Sequence, residues 1–216
     1  MSFEILKTGI DGLDGILGGG IRYPDDGAAF ACVAGGPGTG KTLLALEMVV
    51  RAWLSAADGT FLYYSVEHTP DSIEKKLAHD FDWFRYAASV TSEPREVPNK
   101  LVLRAQHAKS KSRHERHRGG GDRASQQGEP RLVLTQANPA ALTKKSARGT
   151  TVDIEWILAE IENHQQVAPV RMVVIDNVGL LLTDLEYFEK RATLLETRRR
   201  LLDDKIHGLF VMEEAH

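Results

Sequence analysis

Residues 35–42 read Gly35, Gly36, Pro37, Gly38, Thr39, Gly40, Lys41 and Thr42, which satisfies G-x-x-x-x-G-K-[ST] at every position. Glycines let the backbone curl so that successive N–H groups point inward and cradle a phosphate. Lys41 is the right length to reach the β- and γ-phosphates, and the Thr42 hydroxyl can ligate Mg²⁺. A helix starting here adds the positive end of its dipole at the same spot.

Two carboxylates have the placement to complete such a site. The apolar run Met172-Val173-Val174-Ile175 ends on Asp176. An acid there sits at the carboxyl edge of a sheet, where it can hold the Mg²⁺ directly or through water; the alternative is a capping aspartate at a strand-to-helix turn. Glu67 ends a second run, Thr60 to Val66, and can orient an attacking water beside the γ-phosphate or pair with a cation. His68, next to it, either shares that work or leads into the following helix.

These residues need strands and helices to carry them. Residues 28–34 form a short apolar run that reads as a buried strand, with Cys32 in its core, and 41–56 read as a helix. A strand over 60–66 is followed by a helix opened by Thr69 or Asp71, with Pro70 in its first turn, running to about Phe84. A strand at 131–134 precedes a helix capped by Thr151 or Asp153, with Ile154, Ile157, Leu158 and Ile161 at helical spacing. The strand 172–176, a helix from about Leu185 to Ile206 stopped by Gly208, and a strand over 209–212 close the order. Alternating strands and helices predict an α/β fold, a mostly parallel sheet with helices on both faces and its site at the strands' carboxyl ends.

One segment breaks the pattern. Residues 104–130 hold seven Arg or Lys, three acids and three His, with no aromatic residue and no Val, Leu or Ile. They cannot bury enough apolar surface to offset ordering entropy, which predicts a disordered basic insertion; a basic finger for nucleic acid is the sharper alternative.

Composition bounds the rest. The 216 residues suit one domain, 1–216, with a sizeable core, and a net charge of −3 gives no general attraction to nucleic acid or anionic membrane. A single cysteine excludes an internal disulfide and fits a reducing compartment. No apolar stretch approaches the 18 residues of a membrane span, and the first twelve lack the layout of a signal peptide, so the expected location is cytoplasmic.

A lead-in, Thr8-Gly9-Ile10, Gly12-Leu13-Asp14 and Leu17-Gly18-Gly19-Gly20-Ile21, precedes the phosphate loop, and Tyr64-Ser65-Val66-Glu67 follows it. Together these resemble the KaiC/RadA-like branch of the RecA-type P-loop ATPases. The resemblance implies a RecA-type core, binding of ATP or ADP with Mg²⁺, and a homo-oligomeric ring, such as a hexamer, with nucleotide held between subunits. It assigns Gly35 to Thr42 to the phosphates, Glu67 and Lys41 to catalysis, and Thr42 and Asp176 to the metal. Where the family has two adjacent glutamates, this sequence has Glu67 and His68. In the family, further strands with basic residues follow the point where this sequence stops. The resemblance therefore implies missing C-terminal strands and slow hydrolysis, with nucleotide state coupled to self-assembly or a partner. A DNA-binding recombinase-like ATPase and a P-loop phosphotransferase are the alternatives.

Overall fold

This computed structural model describes residues 2–81, 89–106, 129–137, 143–146, 149–152, 154–183 and 185–214. Its centre is a seven-stranded sheet. The strands are β3 (Phe30–Gly35), β4 (Thr60–Ser65), β5 (Ser89–Ser92), β6 (Lys100–Gln106), β7 (Arg131–Gln136), β10 (Val170–Asp176) and β11 (His207–Glu213). Their spatial order is β3-β11-β10-β4-β7-β6-β5. The five strands from β3 to β7 run parallel, and β6 and β5 add antiparallel at one edge. Two hairpins stand apart: β1 (Phe3–Leu6) with β2 (Ile21–Pro24), and β8 (Thr143–Ser146) with β9 (Gly149–Val152).

Helices cover both faces. On one side, α2 (Lys41–Ser55) and α3 (Pro70–Asp80) bury Leu46, Val49, Trp53, Ile73 and Leu77 against Phe61, Tyr63, Leu132 and Leu134. On the other, α4 (Ile154–Val167), α5 (Val178–Leu181) and α6 (Tyr187–Asp203) bury Ile157, Ile161, Val178 and Leu201 against Leu62, Tyr64, Val173 and Phe210. Covered twice, β4 is buried at every position, which explains its near-continuous run of apolar and aromatic residues.

The lead-in folds around a short helix, α1 (Leu13–Ile16). Neither Thr8 nor Asp11 caps it. Instead Asp14 accepts from the Thr8 N–H at 2.8 Å, the Thr8 hydroxyl at 2.7 Å and the Gly9 N–H at 3.1 Å. This ring of donors explains the T-G-x-x-x-x-D spacing. At the far end Gly20 has φ +138°, and a Cβ there would lie 2.5 Å from the Leu6 carbonyl oxygen. Only glycine lets β2 begin beside β1.

Several expectations are corrected. The helix expected from Leu185 to Ile206 runs from Tyr187 to Asp203; Gly208 lies inside β11, and the chain turns at Lys205, φ +56°. The helix after Thr69 ends at Asp80, with Thr69 as its cap, accepting from the Ser72 N–H at 3.2 Å. Thr151 belongs to β9 rather than capping α4, and Asp153 lies outside the described residues. Cys32 is exposed, because β3 is an edge strand, not a central one. The first three residues of the basic segment, 104–106, complete β6, with Arg104 opposite Arg131; its residues 107–128 lie outside the described residues. Among the described residues no helix is long and apolar enough to cross a membrane.

Candidate active site

The phosphate loop links β3 to α2. Gly38 at φ +72° and Gly40 at φ +85° occupy the left-handed region, and nothing lies within 4 Å of a Cβ at either. Glycine is therefore required for backbone angle, not for space. Gly40 precedes Lys41, the first residue of α2, so the helix opens directly on the loop. The Thr39 hydroxyl donates to the Gly36 carbonyl at 2.9 Å, and Lys41 Nζ donates to the same oxygen at 2.6 Å.

Asp176 ends β10. Counting by twos from Met172 and Val174, both in the core under α2, puts its side chain on the α2 face of the sheet. It is 3 % exposed. Its Oδ2 accepts from the Tyr63 hydroxyl at 2.6 Å, while Oδ1 carries no hydrogen bond among the described residues. Tyr63, on the neighbouring β4, has the same parity as the buried Phe61 and is itself 0 % exposed. Burial first, then the charge and hydrogen bond of Asp176, and then Glu67 push its phenol well above the usual range. It remains a donor at any physiological pH.

Glu67 lies two residues past the end of β4 and is exposed. The chain turns there because the His68 N–H donates to Ser65 Oγ at 3.0 Å.

These pieces meet. One cavity of about 450 Å³ is lined by the loop residues Pro37 to Leu43 together with Glu67, Asp176, Asn177 and Glu213. Of the residues singled out in the sequence, Pro37, Gly38, Thr39, Gly40, Lys41, Thr42, Glu67 and Asp176 line it. Gly35, Gly36 and His68 do not, although Gly36 supplies the carbonyl that holds Lys41.

Sequence reading missed three participants. Glu213 ends β11 on the parity of the core residues Leu209 and Val211, the same signal that marked Asp176. Asn177 is 3 % exposed, and its Oδ1 accepts from Gly179 N–H at 3.0 Å and Glu213 N–H at 3.4 Å, tying α5 to the end of β11. Tyr63 carried no signal, since its partner is 113 residues away. Past Pro37, Asn177 and Glu213 the cavity adjoins an apolar groove of about 870 Å³ walled by Leu180, Leu194, Leu195 and Met212.

A mostly parallel sheet with helices on both faces, and a glycine-rich loop opening on the strands' carboxyl ends, give the chain a KaiC-like, RecA-type α/β fold. Residues 6–91 match the family model described as the KaiC ATPase. The chain is similar to UPF0273 proteins of Methanopyrus kandleri, 34% identical over 83 residues, and Saccharolobus solfataricus, 37% identical over 78. Those alignments cover 38% and 36% of this chain, and the chain spans only 30% and 25% of the relatives' length. In three dimensions 99% of the chain superposes on 72% of a KaiC-like protein from Pyrococcus horikoshii, with a TM-score of 0.59 and 16% identity. The resemblance read from the lead-in and the phosphate loop thus holds in sequence over residues 6–91 and in fold.

Proposed function

We propose that the chain binds Mg·ATP in the cavity between the phosphate loop and Asp176, hydrolyses it slowly, and couples nucleotide state to self-assembly or to a partner. The observation that carries this is the gathering of Pro37 to Leu43, Glu67 and Asp176 around one cavity. Lys41 and the loop amides bind the phosphates, and the α2 N-terminus adds its dipole.

The donor set suits Mg²⁺. No three His, Cys, Asp or Glu side chains gather as a metal nest among the described residues. A cation here rests on the Thr42 hydroxyl, Asp176, water and the phosphates themselves, the ligand mixture Mg²⁺ prefers. Bound there, the ion supplies charge neutralisation at the phosphates. Glu67, exposed at the cavity, is placed to accept a proton from water. His68 has no part in this reading, since it does not line the cavity.

Two measurements on one preparation test the reading: binding of a fluorescent ATP analogue, and phosphate release followed beside light scattering with and without Mg·ATP. Saturable nucleotide binding, slow phosphate release and a nucleotide-dependent change in mass are expected. Equal ATP affinity in wild type and Lys41→Ala overturns it.

A further inference from the structure

We infer that Tyr63 is a positioning residue for the metal side of the site: its hydroxyl pins Asp176 Oδ2 so that Oδ1 is presented to the cation. The inference rests on the Mg·ATP reading above and deepens it.

The geometry is specific. Tyr63 Oη donates to Asp176 Oδ2 at 2.6 Å, and both side chains are almost fully buried, at 0 % and 3 % exposure. A carboxylate has two oxygens and rotates about χ2 with little barrier, so one donor fixed to one oxygen decides where the other points. With Oδ2 taken and Oδ1 free of hydrogen bonds among the described residues, the unoccupied oxygen belongs to a side chain that lines the phosphate cavity. The donor is held rigidly. Tyr63 lies on the central strand β4, packed in the core beneath α2, and β4 is in register with β10, Tyr63 beside Val174 and Ser65 beside Asp176.

A buried tyrosine hydroxyl in this sheet does not find a partner automatically. The adjacent Tyr64, on the opposite face against Trp156, has a buried hydroxyl with no hydrogen-bond partner among the described residues. Of the two neighbours, only the one on the phosphate-loop face is engaged, and its acceptor is the carboxylate of the site. Partners of this kind, one layer behind a metal ligand, orient it and typically change metal affinity by about 10–100-fold when removed.

The test separates nucleotide binding from its metal contribution. A fluorescent ADP analogue is titrated in EDTA and then across Mg²⁺ concentrations, using wild type, Tyr63→Phe, Asp176→Asn and the double variant. Tyr63→Phe is expected to leave the affinity in EDTA within about twofold and to raise the half-saturating Mg²⁺ concentration about tenfold. The double variant should be no worse than Asp176→Asn, because the two residues act as one unit.

Unchanged Mg²⁺ dependence in Tyr63→Phe overturns the inference. So does an equal loss with and without metal, the mark of a merely structural role, or additive losses in the double variant. Should Tyr63→Phe fail to fold, ¹³C-labelled tyrosine in the wild type decides. A tyrosine ring resonance should move when Mg²⁺ joins the nucleotide complex and stay still in Asp176→Asn; a resonance that ignores the metal in wild type sinks the idea. A wild type that binds no nucleotide overturns the Mg·ATP reading and this inference with it, and that result is visible before any variant is made.

Discussion

Lys41 Nζ donates to the Gly36 carbonyl at 2.6 Å, so the phosphate loop closes on its own cation. On the proposed Mg·ATP reading, this ammonium is already aimed across the loop, and phosphate binding exchanges a neutral acceptor for a charged one. The phosphate adds a Coulomb attraction between opposite charges that the carbonyl cannot supply.

Lys41→Ala should therefore weaken ATP binding by roughly tenfold to a hundredfold, the 1.5–3 kcal/mol expected of about one hydrogen bond to a charged group. Melting temperature should hardly change, because Lys41 makes no ion pair among the described residues and its one bond lies within the loop. Isothermal titration beside a thermal melt checks both.

Glu67→Gln should keep nucleotide affinity within about twofold and lower phosphate release by about 10²–10⁴-fold, the usual contribution of a positioned general base. The residue is exposed and its side chain makes no hydrogen bond among the described residues, so the fold does not depend on it. Equal turnover in the variant and the wild type counts against its role.

Two glycines with positive φ should respond differently to alanine. At Gly40, φ +85°, nothing lies within 4 Å of the new Cβ, so the cost is the left-handed backbone alone, about 1–2 kcal/mol, and it falls on the loop. At Gly20, φ +138°, the Cβ meets the Leu6 carbonyl at 2.5 Å, and the β1–β2 hairpin must shift. Gly20→Ala should lower the melting temperature more, while Gly40→Ala should do more harm to nucleotide affinity.

His164 gives the chain a pH dependence. Burial, then the neighbouring Lys100 and Arg131, lower its pKa from 6.5 to about 4, with Glu160 opposing. A histidine kept neutral in the fold is protonated first in the unfolded chain. Stability from this group is complete above about pH 6.5 and declines as pH falls, until the folded-state value near 4 is reached. Denaturant melts between pH 7 and 4 should show a shallower fall for His164→Gln than for wild type.

Asp14 adds a second window at lower pH. Partial burial opposes the shift, but the donors Thr8 and Gly9, with Lys7 nearby, hold its carboxyl below the ordinary value. A depressed carboxyl stabilises above its unfolded pKa, near 4, and that support is lost as pH falls through the folded value. Asp14→Asn should flatten the melting curve below pH 4 and loosen the lead-in, seen as faster amide exchange at Thr8 and Gly9.

Much of this was legible in the linear order of residues. The phosphate loop could be read because its function is local: eight consecutive residues contain the turn, the cation and the hydroxyl. The strand before it and the helix after it were legible for the same reason, from short-range apolar patterning. The mostly parallel sheet was expected, but its antiparallel edge strands β5 and β6 were missed. Their antiparallel pairing depends on which edge they reach, and no local pattern states that. The chain's turn at Lys205 was misplaced at Gly208, since a glycine inside a strand and one closing a helix look alike in sequence.

The sequence alone determined the chemistry available: a phosphate cradle, a lysine, a hydroxyl and acids closing apolar runs. Which acids face the cradle was decided only by the packed sheet. Strand parity turns Asp176 and Glu213 to the α2 side, and register sets Tyr63 against a carboxylate 113 residues distant. Such pairings arise from side chains alternating across a pleated sheet and from strands choosing neighbours. Both follow from burying two apolar faces at once, a condition met by the whole chain and by no segment of it.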